Sequence, residues 1–231
     1  EGRATQDGLV AAQVVDTENG QLGVMLELNS ETDFVAKSPA FLALADQVLQ
    51  AAVGVASENT AELLGAPVDP SDPKTTVQDT IDALSATVGE RLQLRRVAVV
   101  GGEHVEAYLH RTNKDLPPQV GVLVATDAKA AETAHDLAMH ITAYSPVYLN
   151  REAVPAETVE AERRIARETA IAEGKPEKAV DKIVEGRLNG FFKENVLLEQ
   201  AFARDTKTTV GKVVAASGGV VTGFARFKVG V

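Results

Sequence analysis

Two similar segments of the sequence constrain the fold more than any other feature. The first is Gly23-Val-Met-Leu-Glu-Leu-Asn29 and the second is Gly121-Val-Leu-Val-Ala-Thr-Asp127. Both are apolar runs typical of buried strands, and each is followed by a helical pattern that contains Leu-Ala. Such a repeat indicates a duplicated module. We therefore predict an α+β fold with two similar antiparallel-sheet-plus-helix subdomains, residues 1–92 and 93–231.

The first module begins with a β-hairpin signal. The apolar-rich runs Gly8–Asp16 and Gln21–Asn29 flank Asn19-Gly20, and both of these residues tolerate positive φ. Ser38-Pro39 then supplies an N-cap and a proline at the first helical position. The helix that follows has one apolar stripe, suited to packing on a sheet. Its members are Phe41, Leu44, Ala45, Val48, Leu49 and Ala52.

A proline-rich stretch and a second helix complete this module. We predict a loop over residues 65–73 and a helix that starts at Asp72-Pro73. Gly89 is placed to end that helix, because glycine readily adopts the left-handed conformation of a C-cap. The predicted apolar side of the helix consists of Val77, Ile81, Leu84 and Val88.

The second module shows a similar alternation of strands and helices. Leu94–Val100 and His104–His110 read as a strand and its returning partner, joined by a turn at Gly101-Gly102-Glu103. Two further strands are predicted at Val120–Ala125 and Val220–Val229. The remaining predictions are a helix capped by Asp127 and a short helix at Gly211–Ala216.

Residues 151–195 differ from the rest because they are dense in Glu, Arg and Ala. Gly174-Lys175-Pro176 interrupts the segment, and glycine followed by proline ends one helix and starts another. We predict a protruding antiparallel helical hairpin, a coiled coil, inserted in the second subdomain. Glu160 and Arg164 form a supporting pair four residues apart on its first arm. The second arm has the stronger apolar pattern: Val180, Ile183, Val184, Leu188, Phe191 and Phe192.

The charge balance argues against direct nucleic-acid binding. The net charge is −10, with 23 basic residues against 33 acidic ones, and aromatic residues make up only 4%. Binding to phosphates requires clustered Lys and Arg, and base stacking requires aromatic platforms. The absence of cysteine suits a reducing cytoplasm. We expect no membrane span, since no apolar run approaches the roughly 18 residues needed, and no secretory leader precedes Glu1.

Catalytic and metal-binding motifs are missing from the sequence. There is no P-loop, no nucleophile elbow and no cysteine. The four histidines, His104, His110, His135 and His140, do not have metal-ligand spacing, and surface or half-buried side chains are the simplest interpretation. We expect neither a metal nor a cofactor. A binding protein is therefore favoured over an enzyme.

The connection Ser30–Lys37 is mainly polar, with Phe34 at its centre. The ring has two plausible roles. It folds inward as a hydrophobic plug, which composition alone favours, or it stands outward as an anchor for a partner's pocket. Asp33 beside it either caps the following turn or presents a negative charge to a partner's cation site.

The eleven residues Glu27-Leu-Asn-Ser-Glu-Thr-Asp-Phe-Val-Ala-Lys37 resemble the signature of the bacterial elongation factor Ts family. The resemblance continues over nearly the whole chain, including Leu94-Arg-Arg-Val97, Gly121-Val-Leu-Val124, Gly174-Lys-Pro176, Val184-Glu-Gly-Arg187 and Thr222-Gly-Phe-Ala-Arg-Phe227. The family's N-terminal helical module, which resembles a ubiquitin-associated domain, has no counterpart in the sequence. The missing initiator methionine is consistent with the loss of an N-terminal piece.

The resemblance implies a guanine-nucleotide exchange factor for elongation factor Tu in translation elongation. In the family, the Thr-Asp-Phe-Val loop enters the nucleotide-binding domain of the GTPase near its Mg²⁺ site, and here these residues are Thr32, Asp33, Phe34 and Val35. Weaker contacts are implied for Val88, Gly89 and His110. The resemblance also implies a cytoplasmic protein and allows a homodimer or a 2:2 complex with the partner.

One alternative is a scaffold or chaperone-like protein that docks through the helical hairpin. It predicts that deletion of residues 156–193 abolishes partner binding while Phe34→Ala has little effect. The exchange-factor hypothesis predicts a strong effect of Phe34→Ala.

Overall fold

The computed structural model describes residues 3–231, which divide into two compact units. The first unit contains the described residues up to Thr142 together with Gly219–Val231, and the second is Ala143–Gly218. The strands are β1 (Asp7–Thr17), β2 (Gly20–Ser30), β3 (Pro67–Asp69), β4 (Asp72–Thr76), β5 (Gln93–Gly102), β6 (His104–His110), β7 (Val120–Thr126), β8 (Ala201–Phe202), β9 (Asp205–Thr209) and β10 (Val221–Lys228). The helices are α1 (Asp33–Ala36), α2 (Pro39–Val55), α3 (Thr60–Gly65), α4 (Val77–Val88), α5 (Ala134–Tyr144), α6 (Ala156–Ala172), α7 (Glu177–Asn195) and α8 (Val210–Ala216).

The first unit is built on two three-stranded antiparallel sheets. One has the order β1-β2-β5 and the other β10-β7-β6. The two repeated segments are β2 and β7, the central strands of these sheets. The α+β class and the pair of similar sheet-plus-helix modules are therefore confirmed. The predicted boundary between residues 92 and 93 stays a prediction.

An apolar layer between the two sheets explains why each repeated segment begins with glycine. A β-carbon on Gly23 would lie 2.7 Å from Val105 Cγ1, and one on Gly121 would lie 2.4 Å from Val10 Cγ1. Only glycine permits so close an approach of the opposite sheet. The buried residues of the layer are Val10, Met25, Ala98, Val105, Leu123, Ala125 and Phe227.

Helices cover the outer faces of both sheets. The predicted stripe of α2 is buried together with Leu26 and Leu28 of β2. Ser38 caps this helix as predicted, since its hydroxyl oxygen accepts from the Phe41 amide at 3.3 Å. Over the second sheet, Arg226 of β10 donates to the Thr142 carbonyl near the end of α5 at 3.1 Å. The main core therefore lies between the first sheet and its helices.

The predicted pairing of the strands on either side of residues 101–103 is wrong. β5 continues to Gly102 and pairs with β2, whereas β6 pairs with β7 in the other sheet. The chain crosses between sheets at Gly102, where a β-carbon would lie 3.1 Å from Ala125 Cβ. A local turn signal does not reveal that the next strand belongs to a different sheet.

Three predicted turns and caps are shifted. Glu18 and Asn19 form the tip of the first hairpin. Gly20 is already in β2, where a β-carbon would lie 2.3 Å from the Gly102 carbonyl oxygen.

The helix predicted from Asp72-Pro73 begins at Val77, after the β3–β4 hairpin, because Thr76 and Asp79 form a capping box there. The Asp127 carboxylate caps a turn through the Ala130 amide (3.0 Å), and α5 starts only at Ala134.

The second unit contains the predicted antiparallel helical hairpin. Gly174 joins α6 to α7 with φ +77°, a left-handed conformation suited to glycine. Arg167 pairs with Asp181 across the hairpin at 2.7 Å, and Arg163 pairs with Glu185. The predicted Glu160–Arg164 pair is wrong, since Glu160 lies 3.8 Å from Arg163. Val180, Val184, Leu188 and Phe192 of α7 are buried, as are Ala166 and Ala170 of α6.

Candidate partner-binding site

The connection between β2 and α2 contains a single helical turn, α1. Thr32 is its N-cap, with the hydroxyl oxygen accepting from the Val35 amide at 3.4 Å. Four residues are far too few for a helix to be stable alone, so neighbours must hold the turn in place. Ala36 is buried and Val35 packs against the main core. The turn is therefore anchored on its inner side.

Phe34 lies on the outer side of this turn. Its side chain is 73% exposed, more than any other large hydrophobic side chain among residues 3–231. Lys37 Nζ lies 5.0 Å from the ring centroid. The inward position that composition favours is not observed, because Ala36 and Val35 already fill the core beneath the turn. A solvent-exposed aromatic ring on an anchored turn is available as an anchor for a pocket of a partner.

Two glutamates fasten the start of the turn to the segment after α4. Glu90 Oε1 accepts from the amides of Glu31 and Thr32, both at 3.1 Å, and Oε2 accepts from the Thr32 hydroxyl at 2.6 Å. In return, Glu31 Oε1 accepts from the Arg91 amide at 2.7 Å. We call these four residues, Glu31, Thr32, Glu90 and Arg91, the Glu31–Glu90 clasp.

The clasp places the Val88-Gly89 turn beside Thr32–Val35. Gly89 ends α4 with φ +71° and donates its amide to the Ser85 carbonyl. Arg3 Nη1 donates to the Gly89 carbonyl at 3.2 Å and lies 3.5 Å from Glu31 Oε2. Two of the three segments named from the sequence are therefore neighbours.

His110 belongs to a different cluster on β6 of the second sheet. Its Nδ1 lies 3.2 Å from the Tyr108 hydroxyl, and the two rings are stacked. No hydrogen bond or ring contact among residues 3–231 joins His110 to the clasp or to α1. The structure therefore does not group this histidine with the other named residues.

Acidic and basic side chains both lie around the turn. Asp33, the first residue of α1, is exposed, and Glu31 and Glu90 of the clasp lie next to the turn. Burial raises the pKa of the nearby Asp7 carboxyl, and the charges of Asp33 and Glu90 raise that pKa further. Because Arg3 lies beside Glu31 and Lys37 beside Phe34, the surface around the exposed ring carries charges of both signs.

Metal-ligand clusters are not found in the described part of the chain. His104 and His135 both approach Glu106, at 3.5 and 3.3 Å, but no group of three or more His, Asp or Glu residues within 3–231 could hold a metal ion. None of the helices in these residues is long and apolar enough to cross a membrane.

Sequence reasoning missed Glu90 and Arg91. Glu90 follows a helix-ending glycine, where a charged residue needs no special explanation, and its hydrogen-bond partners lie 58 and 59 positions earlier in the chain. The sequence shows no periodicity or motif that would have found this contact.

Comparisons with known proteins identify the family of the chain. The family model described as "Elongation factor TS" matches residues 31–231. Elongation factor Ts of Beutenbergia cavernae is 60% identical over 232 residues, and those of Micrococcus luteus and Kineococcus radiotolerans are 58% and 56% identical. Each alignment covers 100% of this chain and 81% of the relative. The chain therefore belongs to the elongation factor Ts family and is a translation elongation factor.

Proposed function

We propose that the chain promotes release of guanosine diphosphate from the GTPase elongation factor Tu in the cytoplasm. The observation that supports this most is the 73% exposure of Phe34. The turn that carries it is held by hydrogen bonds to Glu90 at its start and by packing of Val35 and Ala36 on the core. A rigid, solvent-exposed aromatic ring loses little conformational freedom when it enters a pocket, so most of its binding energy is available to the complex. The chain acts by binding and performs no bond-breaking step of its own.

In the proposed mechanism, Thr32–Val35 enters the partner beside its Mg²⁺ site and Phe34 separates side chains there. The movement displaces the Mg²⁺, which normally offsets the charge of the diphosphate. Without the cation the nucleotide is held less tightly and leaves. A thousandfold faster release requires a barrier lower by about 4 kcal/mol, which a buried aromatic anchor and its neighbours can supply.

Linkage requires that the factor and the nucleotide weaken each other's binding equally. Val88 and Gly89 extend the proposed contact surface, since the clasp joins them to the Thr32–Val35 turn. His110 is a separate proposed contact on the second sheet. Family membership gives no support to the scaffold alternative, so the hairpin is assigned only an accessory role.

The test is the release of fluorescently labelled guanosine diphosphate from elongation factor Tu. We expect Phe34→Ala to slow factor-dependent release by at least about tenfold, because truncation of an aromatic anchor typically costs 2 kcal/mol or more. Val220→Ala is the control, since Val220 is also an exposed apolar residue of the first unit, at 54%. Equal acceleration by Phe34→Ala and wild type would remove Phe34 from the mechanism.

A further inference from the structure

Within residues 3–231, the hydrogen bonds to the Glu90 carboxylate come from the segment that leads into α1. The carboxylate accepts two backbone amides and one hydroxyl, at 3.1, 3.1 and 2.6 Å. Hydrogen bonds to a charged acceptor are stronger than neutral ones. This one side chain therefore fixes both the backbone of Glu31 and Thr32 and the hydroxyl that caps the turn.

The position of Glu90 is itself fixed by α4. The Ser85 hydroxyl donates to the Glu90 carbonyl at 2.5 Å, and the left-handed Gly89 sets the direction in which the chain leaves the helix. The Glu31 carboxylate accepts from the Arg91 amide, so the two segments hold each other reciprocally. A well-ordered helix thus supports a turn that could not be stable alone.

Thr32 links the clasp to the exposed ring. Its hydroxyl donates to Glu90 and its hydroxyl oxygen accepts from the Val35 amide, which follows Phe34. Loss of the Glu90 carboxylate would free the hydroxyl and two amides at the start of α1. The backbone on both sides of Phe34 would then sample more conformations in the free protein, and the ring would have to be ordered during binding.

We infer that Glu90 is a positioning residue for nucleotide exchange, which holds Thr32–Val35 and the Val88-Gly89 turn as one preformed binding surface. The inference rests on the proposed exchange function. Glu90 acts through Phe34, as a support for the geometry in which the ring meets the partner.

The first measurement is backbone hydrogen exchange in the free protein, with Glu90→Ala, Glu90→Gln and the control Glu62→Ala. Glu62 is an exposed glutamate in α3 of the same unit. In Glu90→Ala the amides of Glu31, Thr32 and Val35 should exchange at least about tenfold faster, while the amides of β2 keep their protection. Unchanged protection of the three amides would overturn the inference.

Glu90→Gln is the conservative variant. Its amide oxygen can accept the two backbone amides, and its NH₂ group can donate to the Thr32 hydroxyl oxygen. We expect exchange protection and nucleotide release within about threefold of wild type, because neutral hydrogen bonds replace charge-assisted ones. If Glu90→Gln kept the exchange protection but lost the acceleration of nucleotide release, the charge and not the positioning would be essential, and the inference would be overturned.

The second measurement is nucleotide release from elongation factor Tu in a double-mutant cycle. Glu90→Ala should lower the maximal release rate about tenfold in the Phe34 background but add less than about twofold to Phe34→Ala, since residues that act through one another are not additive. Additive effects would contradict the inference. If the wild type itself fails to accelerate release, both the proposed function and the role of Glu90 in exchange are wrong. If Glu90→Ala accelerates release as strongly as the wild type does, the inference about Glu90 is overturned while the proposed function stands.

Discussion

Glu27 places a fully buried carboxylate in the middle of β2. Its Oε1 lies 2.8 Å from Arg96 Nε, and its Oε2 accepts from the Asn29 side-chain amide and the Gly230 backbone amide, both at 2.9 Å. Arg96 also donates to the Val231 carbonyl at 2.9 Å and stacks on Phe227. The network ties the C-terminal residues to the first sheet.

Glu27→Ala should therefore destabilise the protein by about 3 kcal/mol, because it leaves buried donors and a guanidinium without their acceptor. Urea denaturation followed by circular dichroism measures this change. Glu18→Ala, at the exposed tip of the first hairpin, serves as control and should change the free energy of unfolding by less than about 0.5 kcal/mol. A similarly small effect of Glu27→Ala would contradict the structural role of the network.

Asp7 provides a prediction for pH dependence. Its pKa is raised from 3.8 in the folded protein, first by burial and then by Asp33 and Glu90, so the folded state binds more protons than the unfolded state just above pH 3.8. Stability from this group is present at lower pH and is lost as pH rises through the raised pKa. At pH 7, Asp7→Asn should stabilise the protein by about 0.5 kcal/mol. Urea denaturation of both proteins at pH 7 and pH 3 measures the effect, and the stability gained by Asp7→Asn should disappear at pH 3. The same difference in the free energy of unfolding at both pH values would contradict the prediction.

The position of Phe34 illustrates the limit of residue-scale prediction. Composition treats an isolated aromatic residue as core material, whereas its exposure depends on the Thr32 cap and on Ala36 filling the space below. The family resemblance identified the loop, but the carboxylate that secures it lies 59 positions away from Glu31. Contacts of this range depend on the tertiary fold and leave no local pattern.

At the scale of elements, replacing glycine by alanine is expected to change stability in opposite directions at two positions, one at the sheet interface and one in a helix. Gly121→Ala should destabilise by about 1–3 kcal/mol, because its β-carbon would lie 2.4 Å from Val10 Cγ1 and 2.8 Å from Met25 sulfur in a packed core. Gly54→Ala, in α2 of the same unit with no neighbour within 4 Å, should stabilise by about 0.5 kcal/mol through helix propensity. Thermal unfolding of both variants tests this, and equal signs would refute the packing argument.

Several helix positions and helix ends were predictable because their signals are local. The α2 stripe, the Gly89 cap and the Gly174 connection between α6 and α7 all follow from residues close together in sequence. Sheet membership is not predictable in this way: the turn signal at Gly101-Gly102-Glu103 predicts one hairpin, whereas β5 and β6 belong to different sheets. The structure reveals a second internal similarity. Asp72-Pro-Lys-Thr-Thr-Val77 and Asp205-Thr-Lys-Thr-Thr-Val210 both form a strand, a threonine N-cap and a helix start.

For the whole molecule, the net charge of −10 is unfavourable for contact with the phosphates of nucleic acid, which requires clustered basic residues. The family membership of the chain identifies it as a translation elongation factor. The feature that carries the proposed exchange function is the exposed Phe34 ring, on the turn that the Glu31–Glu90 clasp holds. The proposed displacement of Mg²⁺ in the partner is therefore the central claim.

A Mg²⁺ titration of nucleotide release tests that claim most directly. Labelled guanosine diphosphate is released from elongation factor Tu by wild type or Phe34→Ala, at Mg²⁺ concentrations from micromolar to about 10 mM. In the proposed mechanism the factor and the cation compete, so excess Mg²⁺ should reduce the wild-type acceleration progressively. Phe34→Ala should show little acceleration at any concentration. Wild-type acceleration that does not depend on Mg²⁺ would contradict displacement of the cation by the Thr32–Val35 turn.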